Sequence, residues 1–62
     1  MRVASAEMVA LEHCNWARGK GLSPRQVIES VGYPVPDNPC WDDAMYAIAK
    51  AWDWIFRERA AE

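Results

Sequence analysis

At 62 residues the chain has room for one domain, and folding at that size removes roughly 60% of the surface that the unfolded chain exposes, so stability is marginal. Hydrophobic residues make up 52% of it and four are tryptophan, which excludes the disordered class of low hydrophobicity and high net charge. The formal net charge of -2 argues against a surface built to coat phosphate; no apolar run reaches a membrane span, and Glu7 and Glu12 interrupt any signal-peptide core, so a cytoplasmic protein is expected.

The first predicted helix covers about residues 5–18. Ser5 is a good N-cap and Glu7 complements the positive end of the helix dipole. Ala10, Cys14 and Ala17 form a narrow stripe of small residues at i, i+4 and i+7, flanked by Leu11 on one side and Val9, His13 and Trp16 on the other. Such a stripe lets a second helix approach closely.

The second helix, about 23–31, has the clearest local signature. Ser23-Pro24-Arg25-Gln26 reads as a capping box with Pro at the first helical position, and Leu22 and Val27 supply a hydrophobic staple. Gly32 provides the left-handed residue that ends the helix, with Tyr33 placed to cover Ile28.

The prolines of Tyr33-Pro34-Val35-Pro36-Asp37-Asn38-Pro39 then exclude helix and make the connection stiff. A long third helix is expected over about 39–60, with Asn38 as N-cap, Asp42 and Asp43 at its positive end, and Arg57 and Arg59 at its negative end. In it Trp41, Met45, Ile48, Trp52, Ile55 and Arg59 recur at spacings of 4 and 3, a continuous seam widened by Ala44, Ala51 and Phe56. At about 100° per residue, Asp43, Tyr46, Ala47, Lys50, Trp54 and Arg57 lie roughly 120–180° away from Trp41, on the side expected to face solvent.

The pattern implies an all-α fold: a single three-helix domain over residues 1–62, two short helices packed on a long C-terminal one. Its expected core is Leu11, Trp16, Leu22, Val27, Ile28, Val31, Trp41, Met45, Ile48, Trp52 and Ile55.

Candidate chemistry is sparse. His13, Cys14 and Cys40 with Asp42 or Asp43 lack metal-ligand spacing, so no cofactor is expected. A Cys40 nucleophile would have only His13 as base and two aspartates opposing its thiolate. Phosphate-binding loops and hydrolase triads are missing, and no enzyme is expected.

Leu22 to Tyr33 resembles the first helix and turn glycine of a helix-turn-helix, which implies a DNA-binding regulator using Arg18, Lys20 and Arg25. The pattern then departs: a proline-rich segment leads into Asp37, Asp42 and Asp43, carboxylates that repel phosphate where a recognition helix would begin. The leading expectation is a small regulatory or inhibitory protein, of the size of bacterial or bacteriophage accessory proteins. It would bind a protein partner, or itself as a homodimer, through Tyr46, Lys50, Trp54 and Arg57, an aromatic centre with a charged rim. A membrane-surface role is not expected, because acids and bases mix on that face.

Overall fold

The computed structural model describes residues 5–61 and, within them, the side chains of residues 5–54. The fold is all-α, with α1 (Ala6–Gly19), α2 (Pro24–Ser30) and α3 (Trp41–Ala61), and both shorter helices pack on α3. Arg18 at the end of α1 lies over the Trp41 ring at the start of α3, while Ala6 and Glu7 share a groove with Ala49 and Asp53. The helices α1 and α3 are therefore antiparallel. No helix among the described residues is long and apolar enough to cross a membrane.

Local chemistry sets the helix ends. The Ser5 hydroxyl accepts from the Met8 N–H, capping α1. At α2 both halves of the capping box form: the Ser23 N–H donates to Gln26 Oε1 at 2.7 Å and the Gln26 N–H to Ser23 Oγ at 3.3 Å. Both short helices end in the same way. Gly21 (φ 79°) and Gly32 (φ 73°) take the left-handed conformation. Beyond them the Leu22 N–H reaches the Ala17 carbonyl, and the Tyr33 N–H reaches that of Ile28. These are Schellman closures, which also set Leu22 and Tyr33 against the last turns of α1 and α2.

The third helix starts at Trp41, two residues later than its expected opening at Pro39. Cys40, not Asn38, stands at the cap. The Asp43 carboxylate reaches back three residues to accept the Cys40 N–H at 3.0 Å and its thiol at 3.3 Å, and the Ala44 N–H bonds the Cys40 carbonyl. From Asn38 the residue three positions on is Trp41, which offers no acceptor to close such a box.

The core consists of Ala10, Cys14 and Ala17 from α1, Val27 and Ile28 from α2, and Ala44, Ala47 and Ile48 from α3, all buried. Leu22, Val31, Trp41, Met45 and Trp52 are half-buried around it. Two expected core residues fall outside: Trp16 is 55% and Leu11 52% exposed. The small-residue stripe brings the axes of α1 and α3 together, so a side chain about 100–120° around α1 from that stripe passes beyond the edge of the contact. The seam on α3 is displaced for the same reason. Ala47, expected to face solvent, is fully buried, because α1 and α2 close on the Ala44–Ala47–Ile48 strip and leave Trp41 and Trp52 at its flank. The side chains of Ile55, Phe56, Arg57 and Arg59 lie outside the described residues.

Candidate functional site

The outward side of α3 carries Tyr46, Lys50 and Trp54, each about one turn from the next. Tyr46 is 53% exposed and Trp54 65% exposed, the most open large apolar side chain on the described surface. Arg57, expected to complete this stripe, has its side chain outside the described residues. Trp54 stands open for a reason of length: α2 spans seven residues, about 10 Å, against 21 residues, about 31 Å, for α3, and ends well short of it.

Tyr46 is held from two sides. Its ring meets that of Tyr33 edge-on, with centroids 6.0 Å apart at 79°, and the Lys50 ammonium lies 5.4 Å from its centroid. Edge-to-face pairs and exposed cation–π contacts are each worth on the order of 0.5–1.5 kcal/mol. Burial pushes the Tyr33 phenol above its usual range, the adjacent Tyr46 adds to the rise, and Lys50 opposes it.

Tyr46 also separates two grooves. One, of about 430 Å³, is lined by Ala6 and Glu7 of α1 and by Asp42, Met45, Tyr46, Ala49, Lys50 and Asp53 of α3. The other, of about 340 Å³, lies between α3 and the proline-rich connection and includes Ile28, Tyr33, Val35 and Asp43. The first groove escapes a sequence reading centred on tryptophans. Its signal is the run Asp42, Tyr46, Ala49, Asp53 at i, i+4, i+7 and i+11, an outward stripe with an alanine at its centre.

The candidate metal and thiol groups are dispersed. Cys14 is buried in the core, where desolvation pushes its thiol up and Arg18 pulls it part of the way back. The His13 ring packs on Trp16 at 5.5 Å. The exposed Cys40 thiol donates to Asp43, whose carboxyl is held below the usual carboxylate range first by the Cys40 backbone N–H and then by that thiol. Among the described residues no three His, Cys, Asp or Glu side chains gather to hold a metal ion.

The basic trio is also placed. The Arg18 guanidinium lies 4.9 Å from the Trp41 ring centroid, and Arg25 Nη2 donates to the Asp37 carbonyl at 2.9 Å, tying α2 to the proline-rich connection. Lys20 is the exposed C-cap of α1. No protein-family model, curated protein or solved structure matches the chain, so the surface geometry carries the functional reading.

Proposed function

We propose that this chain is a non-catalytic regulator or inhibitor that binds a protein partner, or a second copy of itself, through the outer face of α3, as an accessory protein of a bacterium or bacteriophage would. One observation carries the reading: Tyr46 and Trp54 are exposed on one stripe, on either side of Lys50, while among the described residues the buried strip of the same helix is Ala44, Ala47 and Ile48. A small surface that spends its tryptophan outside while filling its core with alanine suits an interface with an aromatic anchor.

The test is the solution mass by light scattering over a range of concentrations, for the wild type and Trp54→Ala, followed by affinity capture from lysate with both proteins. Loss of a dimer, or of a captured partner, in a folded Trp54→Ala protein supports the reading. Self-association or capture that survives both Trp54→Ala and Tyr46→Ala overturns it. The nucleic-acid alternative has less behind it, since Arg18 and Arg25 already hold partners within the chain. Retention on a phosphate resin that falls with salt and is lost on Arg18→Ala with Arg25→Ala would restore it.

A further inference from the structure

We infer that the partner of the outer face of α3 is a second copy of this chain, its α3 laid antiparallel about Lys50 so that Trp54 of each copy enters the groove between α3 and the proline-rich connection of the other. The inference rests on the proposed partner-binding role of that face and commits it to one occupant.

The ridge is self-complementary. Counted outward from Lys50, Tyr46 and Trp54 stand four residues before and after it, and Asp43 and Arg57 seven before and after. At about 100° and 1.5 Å per residue, all four positions lie within roughly 40° of Lys50 around the helix, at about 6 Å and 10 Å along it. A two-fold axis at Lys50 therefore sets aromatic position against aromatic position and acid against base, twice each. Parallel pairing would set Asp43 against Asp43 and Arg57 against Arg57, which like charge opposes. A stripe that reads the same from both ends suits its own copy, since a different partner needs no such symmetry.

The groove takes the indole. Trp54, 65% exposed, lies toward the same side of the ridge as Asp43, which borders the groove with Tyr33, Pro34 and Pro36. Two-fold pairing brings the second copy's Trp54 level with Tyr46, at the mouth of that groove, whose volume of about 340 Å³ is in the range of small-ligand pockets. Tyrosine and proline walls offer an indole flat apolar faces, and the Asp43 carboxylate on the rim offers its N–H an acceptor. Lys50 is the group that the axis would bring onto its own mate. Its ammonium instead lies 5.4 Å from the Tyr46 ring centroid, drawn back one turn along the helix. The two ammonium groups of a pair are then about two turns, roughly 11 Å, apart, which is about a Debye length at 0.1 M salt. Each falls level with Trp54 and Asp53 of the other copy.

The test is complementation between two damaged copies of the whole chain, read by sedimentation velocity, with far-UV circular dichroism to show that each is folded. Trp54→Ala removes the indole and keeps the groove, whereas Pro34→Glu puts a carboxylate in the groove and keeps the indole. The wild-type pair has two indole-in-groove contacts and either variant alone has none. At about tenfold per contact, each variant should self-associate about 100-fold more weakly than the wild type. Mixed in equal amounts, the two form a pair with one intact contact, which should recover about tenfold of that loss. Pro36→Glu takes the place of Pro34→Glu if the latter unfolds the chain. A wild type that stays monomeric at every concentration, or damaged copies that recover nothing on mixing, overturns the inference. In the first case, capture of another protein that is lost in Trp54→Ala leaves the role of the outer face standing. In the second, a loss of self-association in Trp54→Ala does the same. Self-association unchanged by both Trp54→Ala and Tyr46→Ala removes the inference and the reading together.

Discussion

Ala47 is the position where the fold departs furthest from the helical periodicity of α3, and Ala47→Leu measures that departure. If the helix buried the seam centred on Trp41, residue 47 would lie about 120° from it, and a leucine there would change stability by no more than about 0.5 kcal/mol, as surface substitutions do. In the folded chain Ala47 is fully buried within the cluster that includes Ala44, Ile48 and Ile28. Leucine adds three carbon atoms to a site with no free surface, and overpacking of that kind costs about 1–3 kcal/mol. The whole domain is expected to hold about 3–9 kcal/mol, taking 0.05–0.15 kcal/mol per residue. One substitution therefore removes a large share of it. With a urea dependence of about 1 kcal/mol per molar, the midpoint should fall by about 1–3 M at unchanged slope, read by far-UV circular dichroism. Trp54→Leu, on the same helix but 65% exposed, is the control and should move it little. An Ala47→Leu protein as stable as the wild type, or more stable, would refute the packing of α3 described above.

Other substitutions probe the caps and thiols. Gly32→Ala should cost about 1 kcal/mol, and lower the thermal midpoint by about 4–8 °C, through backbone strain alone. The glycine φ is 73° and a Cβ there meets nothing within 4 Å. Gly19→Ala, in an open helical position, should instead raise the midpoint. Asp43 has its folded pKa held below the ordinary aspartate value by the Cys40 N–H and then its thiol, so in the acid range the unfolded chain binds its proton first. The stability it contributes is present above that value and is lost as the pH falls through the lower folded pKa. Asp43→Asn should flatten the acid limb of a urea-midpoint against pH profile between those values and leave the neutral plateau without a pH slope. Of the two thiols, Cys40 should react promptly with a disulfide reagent in the native protein, while Cys14, buried and raised in pKa, should react at a rate that follows unfolding. Two equally fast thiols would contradict the burial of Cys14.

Elements whose cause is local were legible in the residues themselves. Ser5, the Ser23–Gln26 box, and Gly32 followed by Tyr33 act through bonds that span a few residues, and those bonds are present in the fold. The small-residue stripe of α1 likewise marked the face on which that helix packs. The late start of α3 was within reach too, since Asp43 three residues beyond Cys40 has the spacing of a box, but the Asn38-Pro39 pair has the commoner composition.

Of the candidate site, the α3 period placed Tyr46 and Trp54 far around the helix from Trp41 but did not decide whether they are open or packed, since Ala47 lies on the same side and is buried. The grooves beside Tyr46 did not follow from the period either. They are lined by residues brought together across the chain, Ala6 and Glu7 with Ala49, and Tyr33 with Tyr46.

The sequence by itself determined three helices, the caps of the two short ones and the all-α class, because hydrogen bonds and backbone angles at helix ends depend on neighbours along the chain. Tertiary packing alone decided which arc of α3 is buried. A 3.6-residue period identifies an apolar side but not its centre when small and large apolar residues lie next to each other. Helices approach closest over alanines, so Ala44 and Ala47 went inward and Trp41 and Trp52 to the flank, while on α1 Leu11 and Trp16 turned outward.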